Sequence, residues 1–186
     1  MRFGTFHLMT RPPGMTSQQI VQETLAEAEL AEELGFACMW LTEHHASDHG
    51  ICSAPSVFAA AVAARTTRIG IGYAVNVAPL HQPLRLAEEL AMVDQLSGGR
   101  VVAGFGPGYS PYEFARYGVD IDERYTRHNE VVDVVLKAWS GERFDYEGEY
   151  FQYRDACVLP EPLQKPHPPV AVTVGPNNGP VIVADT

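Results

Sequence analysis

The chain of 186 residues is 46% hydrophobic and 19% charged, which is typical of one globular domain with a sizeable core. Its formal net charge of −10 argues against nucleic-acid phosphates and anionic membrane surfaces as partners, since both attract clustered lysine and arginine. No run approaches the roughly 18 apolar residues that span a bilayer. The three cysteines are too few and too scattered for a disulfide framework or a metal site, and they suit the reducing cytoplasm.

The beginning of the chain predicts a strand, a helix and a second strand. Residues 2–9 alternate in polarity like a strand. Thr16 or Ser17 can cap a helix that runs to about Leu34, and a glycine follows in the position after its end. Residues 36–41 are an unbroken apolar run, which indicates a strand buried on both faces.

The same alternation continues along the rest of the chain. The Gly98-Gly99 pair predicts a turn, and prolines between residues 160 and 169 keep that segment extended. The hydrophobic spacing predicts these further elements: helices at residues 54–64, 83–96 and 124–139, strands at residues 69–77, 101–105 and 170–174, and a small excursion, such as a hairpin, at residues 144–151.

Strands that alternate with helices indicate a parallel sheet with right-handed crossovers, either doubly wound or closed into a barrel. A dinucleotide-binding fold would carry G-x-G-x-x-G after its first strand, and this chain has Thr10-Arg11-Pro12-Pro13 there. We therefore expect a (β/α)8 barrel. A complete barrel needs about 250 residues, and only five strands are countable here, so residues 1–186 are expected to form one incomplete barrel domain.

The active site of such a barrel lies at the carboxyl ends of its strands. The second strand ends in Glu43-His44-His45, which places a carboxylic acid and two imidazoles on one loop. Histidine is the side chain best suited to proton transfer near neutral pH, although a polar surface loop would carry the same residues. Adjacent histidines point to opposite faces of a strand and chelate poorly, so a metal centre is disfavoured. A serine hydrolase is disfavoured because no G-x-S-x-G follows a strand.

The next two strand ends carry small residues. Ala74 lies near the end of the third strand, and Gly106 and Gly108 follow the fourth. Such residues let a planar cofactor approach the backbone. Ordinary barrel packing and turn formation explain the same residues, and the spacing alone leaves both explanations open.

Taken in order, the motifs of this chain resemble those of the bacterial luciferase-like flavin monooxygenases, and the match extends to about Val174. The order of the motifs is more specific than any one of them. The matching segments are Met1-Arg2-Phe3-Gly4, Glu33-Leu34-Gly35-Phe36, Trp40-Leu41-Thr42-Glu43-His44-His45, Pro83-Leu84-Arg85-Leu86-Ala87-Glu88-Glu89, Asp94-Gln95-Leu96-Ser97-Gly98-Gly99-Arg100, Trp139-Ser140-Gly141-Glu142, Tyr146-Glu147-Gly148 and Pro166-His167-Pro168-Pro169.

The resemblance implies a barrel that binds reduced FMN as a cosubstrate, whose C4a-hydroperoxide inserts oxygen into a small organic substrate such as an aldehyde. It implies that His44 is the catalytic acid/base, with Glu43 and His45 beside it. It also implies a non-prolyl cis peptide between Ala74 and Val75 beneath the flavin ring.

Where the family often has an arginine near the flavin phosphate, this chain has Pro107, so Arg124 or Arg127 is expected to supply that charge. Gly106 and Gly108 on either side of this proline are expected to bind the cofactor. The resemblance places the remaining phosphate contacts after the fifth strand, at Val174 and Gly175. The helix expected beyond them is missing from the pattern.

The resemblance further implies a separate flavin reductase, O2 and a small molecule as partners, and a homodimer formed by early helices, for which the small apolar run at residues 59–64 is suited. Two alternatives stay open: a non-catalytic flavin-binding or structural subunit, and an F420-dependent oxidoreductase, whose relatives tend to have Asp-His instead of Glu-His-His. For the missing strands, three accounts stay open: a fragment of a longer protein, a barrel completed by oligomerisation, or a degenerate member that has lost flavin chemistry.

Overall fold

A computed structural model of the chain describes residues 1–173. Its strands and helices alternate through most of that length, as the sequence predicts. The elements are β1 (Gly4–His7), α1 (Ser17–Glu33), β2 (Cys38–Leu41), α2 (Pro55–Arg65), β3 (Gly70–Tyr73), β4 (Asn76–Val77), α3 (Pro83–Ser97), β5 (Val101–Gly106), α4 (Pro111–Tyr117), α5 (Arg124–Trp139), β6 (Phe144–Glu147), β7 (Gln152–Ala156) and β8 (Val170–Val172), with 3-10 turns at Ala78–Leu80 and Ile121–Glu123.

The main sheet is parallel and runs in the order β1, β2, β3, β5, β8, so the five predicted barrel strands are neighbours in chain order. Their carboxyl ends share one edge, and that edge holds the polar loops. The first predicted strand, residues 2–9, is shorter than expected because only Gly4–His7 pair with β2.

The predicted third strand, residues 69–77, is interrupted in the structure. β3 pairs with the start of β5, whereas β4 pairs with its last two residues, and Ala74 and Val75 lie between them. The Ala74–Val75 peptide is cis, as the resemblance implies. The backbone of this interruption is held to the neighbouring strand by the Ala74 N–H, which donates to the Leu41 carbonyl at 2.6 Å.

Local signals explain why the long helices begin and end as predicted. Thr16 caps α1 in a reciprocal capping box with Gln19. Gly98 ends α3 in a left-handed conformation, with φ +69°. α5 has the predicted bounds, and its Trp139 is buried and donates from Nε1 to the Ala87 carbonyl of α3. The helices thus pack on the sheet with their apolar faces inward.

Two further regions differ from the prediction. Helix α4 was not predicted at all, and it carries side chains that contact His44 and His45. The hairpin of β6 and β7 is antiparallel and extends to Ala156, beyond the predicted residues 144–151. Among residues 1–173, no helix is long and apolar enough to cross a membrane.

Candidate active site

The residues that follow β2, β3, β5 and β8, together with β4, α4 and the start of α5, line a cavity of about 350 Å³. This volume lies within the range of small-molecule sites, about 300–1,000 Å³. Six of the residues predicted for the site line the cavity, and the full lining comprises Thr42, Glu43, His44, Ala74, Val75, Val77, Gly106, Pro107, Gly108, Tyr109, Glu113, Tyr125 and Thr173.

Glu43 is the buried anchor of the site, with 3% of its surface exposed. Its carboxylate accepts hydrogen bonds from the Val77 N–H at 2.7 Å, from His45 Nε2 at 2.8 Å and from His81 Nε2 at 2.9 Å. Burial alone would raise its pKa, but these hydrogen bonds and the charge on His81 hold the pKa of Glu43 at about 2. Glu43 is therefore an ionised carboxylate that ties three segments together.

His81 follows the 3-10 turn after β4 and completes this ion pair. Burial favours its neutral form, but the hydrogen bond and negative charge of Glu43, with a further contribution from Glu89, raise the pKa of His81 above its usual 6.5. The sequence places His81 near a strand end, yet its spacing gives no sign that it shares a carboxylate with residue 43.

His45 is buried, and both of its ring nitrogens are engaged. Nε2 pairs with Glu43, and Nδ1 lies 2.8 Å from the hydroxyl of Tyr117 on α4. Because Nε2 donates to a carboxylate, Nδ1 of the neutral ring accepts from the tyrosine O–H. Burial and the nearby carboxylates raise the pKa of Tyr117, which keeps this donor protonated. His45 is thus locked by its neighbours.

His44 is held differently and lines the cavity. Its Nδ1 lies 3.2 Å from Oε1 of Glu113, and the same oxygen accepts the backbone N–H of His45 at 2.9 Å. The His44 ring packs edge-on against Tyr109, with centroids 6.0 Å apart. Among the hydrogen bonds of residues 1–173, none involves Nε2 of His44, so this nitrogen is available to a bound molecule.

Gly106, the last residue of β5, and Gly108 beyond it are required by close packing at the cavity wall. A Cβ on Gly106 would lie 2.5 Å from Cγ2 of Val75 and 3.1 Å from Oγ1 of Thr173. Gly108 has φ +73°, and a Cβ there would lie 2.7 Å from side-chain atoms of Val77 and Phe114. Any larger side chain at Gly106 would therefore displace Val75 in the cavity wall.

The structure does not bring the predicted arginines into the cavity lining. Arg124 donates to the Ile121 carbonyl and stacks on Tyr125, while Arg127 pairs with Glu123 at 2.8 Å. Within residues 1–173, no lysine or arginine lines the cavity. The other residues expected to bind the phosphate, Val174 and Gly175, lie outside the described residues.

Sequence reasoning missed Glu113 and Tyr117 because it missed helix α4. A signal was present: Ser110-Pro111-Tyr112-Glu113 has the S-x-x-E spacing of a capping box with proline at the first helical position. In the structure the box does not form, since the Glu113 carboxylate turns to His44 and His45 instead. The contact of Glu113 with the two histidines is visible only in the folded structure.

The described residues contain no group of three or more histidine, cysteine, aspartate or glutamate side chains that could hold a metal ion. Cys38, Cys52 and Cys157 are all free thiols. Burial raises the pKa of Cys38 and of Cys52 to about 12, so neither thiol is an activated nucleophile.

Comparison with known proteins places these features in one family. The family model described as luciferase-like monooxygenase matches residues 1–184. The oxygenase component of a flavin-dependent trigonelline monooxygenase from Acinetobacter baylyi is 31% identical over 92% of this chain and 48% of its own length. The chain spans about half the length of the curated relatives it matches.

Solved structures agree with this placement. The monooxygenase RslO1 from Streptomyces bottropensis is 36% identical, with a TM-score of 0.89 over 92% of this chain and 53% of its own. The oxygenating constituent of 3,6-diketocamphane monooxygenase from Pseudomonas putida, solved with FMN, is 23% identical, with a TM-score of 0.84 over 92% and 51% of the two chains. At that identity the second likeness concerns the fold alone.

Proposed function

The chain belongs to the luciferase-like monooxygenase family, and on this premise we propose that its cavity binds reduced FMN and that the whole protein uses O2 to oxidise a small organic substrate. The observation that carries the proposal is His44, which lines a ligand-sized cavity with one ring nitrogen free of hydrogen bonds from the described residues. The A. baylyi relative named above is called flavin-dependent and an oxygenase component. That name supports both the flavin and a separate reductase as its source.

The cavity wall fits a flat ring. Ala74, Val75, Gly106 and Gly108 line one cavity, and the absence of a Cβ at Gly106 lets Val75 pack directly against the backbone of the cavity wall. We assign these four residues to the flavin ring and the adjoining chain. When bound, the reduced flavin supplies the electrons that activate O2.

The three residues after β2 then have separate tasks. His44 accepts or delivers a proton at Nε2, as the catalytic acid/base. Glu43 and His45 support it, because every hydrogen-bonding group of Glu43 and both nitrogens of His45 are engaged with protein partners. Arg124, Arg127, Val174 and Gly175 remain our candidates for the flavin phosphate.

Two measurements test the proposal. Fluorescence titration should show FMN binding, and reduced FMN with O2 should give oxidised product from at least one member of a panel of aldehydes, ketones and aromatic compounds. Because acid–base catalysis contributes about 10²–10⁴-fold, His44→Ala should lower turnover by at least about 100-fold. His167→Ala, which removes a histidine outside the cavity lining, should leave turnover unchanged. Full activity in His44→Ala would remove the role given to His44.

A non-catalytic flavin-binding subunit is the second candidate, and it is favoured by Pro107 and by the lack of a cationic side chain in the cavity lining of the described residues. Flavin binding without consumption of reduced flavin would support it. F420 as the cofactor is a weaker alternative, which parallel titrations with FMN and F420 would distinguish. Tighter binding of F420 would overturn the FMN proposal.

We also propose that the protein works in the reducing cytoplasm, where its free cysteines stay unpaired.

We further propose that the protein is a homodimer. Val57 of α2 and Leu96 of α3 are 73% and 58% exposed and line one apolar groove. Arg85 and Glu88 border this groove. In a two-fold dimer the arginine of one copy can therefore pair with the glutamate of the other. Leu96→Glu should convert a dimer to a monomer in sedimentation velocity, and Leu30→Glu on α1 should not. A monomeric wild type would refute the dimer.

A further inference from the structure

Helix α4 places one carboxylate against both histidines of the site. Glu113 is 2% exposed, and its Oε1 receives the backbone N–H of His45 and faces Nδ1 of His44. Its position in the first turn of α4 would ordinarily direct a glutamate back to the helix N-cap. Instead Oγ of Ser110 is buried without a hydrogen-bond partner among the described residues, so the capping interaction has been exchanged for the histidine contact.

We propose that Glu113 is a positioning residue that fixes the ring hydrogen of His44 on Nδ1 and thereby reserves Nε2 for proton transfer. A backbone N–H can only donate, so Oε1 of Glu113 already acts as an acceptor toward His45. Nδ1 of His44, which meets the same oxygen, is then the donor. The tautomer of a histidine is set by the hydrogen bond that its other nitrogen makes.

The two histidines are therefore assigned to different carboxylates. His45 has Nε2 on Glu43 and Nδ1 on Tyr117, so neither nitrogen is available. His44 has Nδ1 on Glu113 and no protein partner at Nε2 among residues 1–173. Gly50 supports this placement, because a Cβ on it would come within 2.9 Å of Cδ2 of His44. The ring is held by packing on one side and by Glu113 at Nδ1.

This inference rests on the proposed function for its catalytic meaning, but its test does not require turnover. Nitrogen-15 NMR of histidine-labelled protein distinguishes a protonated from an unprotonated ring nitrogen, and His44→Ala identifies the signals of His44. At a pH where the ring is neutral, we expect His44 to carry its hydrogen on Nδ1. An Nε2–H form in the wild type would overturn the proposal without any variant.

Two substitutions complete the test. In Glu113→Gln the amide oxygen can still accept both N–H groups, so the Nδ1–H form should persist. In Glu113→Ala the acceptor is lost, and the Nε2–H form of His44 should appear. An unchanged tautomer in a folded Glu113→Ala would refute the assignment.

Activity then separates this inference from the proposed function. If reduced FMN is turned over, Glu113→Ala should lower kcat by at least tenfold and Glu113→Gln should restore most of it. If no variant turns over reduced FMN, the proposed function fails, and the NMR result still decides whether Glu113 sets the tautomer. Equal kcat in the wild type and in Glu113→Ala would show that Glu113 does not position His44 for catalysis.

Discussion

Replacing Glu43 by glutamine should destabilise the protein strongly at neutral pH. The carboxylate accepts three N–H groups, from Val77, His45 and His81, on two oxygens. A glutamine amide keeps one oxygen and turns an NH2 toward the others, so in either orientation it faces at least one N–H donor. A buried donor left without an acceptor costs about 1–3 kcal/mol, and His81 also loses the hydrogen bond and the negative charge that raise its pKa.

The pKa values give a second measure of the same loss. A pKa of about 2 instead of the ordinary 4.5 for Glu43 corresponds to a stabilisation of about 3 kcal/mol, at 1.36 kcal/mol for each pH unit. Because the pKa is lowered on folding, this stabilisation is fully present above pH 4.5 and is lost as the pH falls toward 2. For His81 the pKa is raised, so its contribution is present below pH 6.5 and disappears as the pH rises through the raised value.

Urea unfolding of the wild type and of Glu43→Gln, measured between pH 3 and pH 7, checks both statements. We expect the variant to lose about 3 kcal/mol at pH 6, and the difference between the two proteins to shrink as the pH falls below 4.5. Glu29→Gln, which removes a carboxylate from an exposed position on α1, is the control for charge and should cost less than about 1 kcal/mol. A difference between wild type and Glu43→Gln that stays constant with pH would refute the reasoning.

Two further substitutions test the parts of the fold that hold the cavity. Asp94 is fully buried and accepts the backbone and side-chain N–H groups of Gln164, so Asp94→Asn should lose about 1–3 kcal/mol in urea unfolding, with FMN titration unchanged. Gly106→Ala places a methyl group against Val75 and should weaken FMN binding at least about tenfold, or 1.4 kcal/mol. Gly118→Ala is the control, because Gly118 has open space around it and the variant should leave FMN binding unchanged. Its φ of +66° means that the substitution also lowers the stability of the fold. Equal FMN affinity in the two glycine variants would contradict the role given to position 106.

The sequence was sufficient for the elements that local rules control. Helix α5 begins at Arg124 and ends at Trp139 as its periodicity predicts, and α1 begins after the capping threonine. Strand limits are less predictable because they depend on the partner strand. The apolar run at residues 69–77 has no local mark of its interruption, which follows from the separate pairings of β3 and β4 with β5.

The sequence predicted the central residues of the site, Glu43-His44-His45, but not the residues that contact them from other elements. The residues after β2 follow a barrel strand, and barrel topology directs attention to that position. The carboxylate that meets His44 lies 69 residues further along the chain, on a helix of seven residues. So short a helix has little periodicity, and a contact over that separation leaves no trace in spacing. Arg124 and Arg127 illustrate the opposite case. Both have the charge expected near the flavin phosphate, but in the structure their guanidinium groups bind residues on or next to their own helix.

On the proposed function, these contacts divide the Glu43-His44-His45 triplet into supporting residues, Glu43 and His45, and a proton-transferring residue, His44. The two buried carboxylates come from different parts of the chain and contact different imidazole rings: Glu43 contacts the rings of His45 and His81, whereas Glu113 contacts the ring of His44. If either carboxylate could bind the rings of both His44 and His45, loss of Glu43 and loss of Glu113 would have the same effect. We expect different effects, because removal of Glu43 should loosen the three segments that its carboxylate joins, whereas removal of Glu113 should release the tautomer of His44 beside the cavity. Because the two roles lie on separate residues, a substitution at Glu113 can change the tautomer of His44 while the hydrogen bonds of Glu43 stay in place.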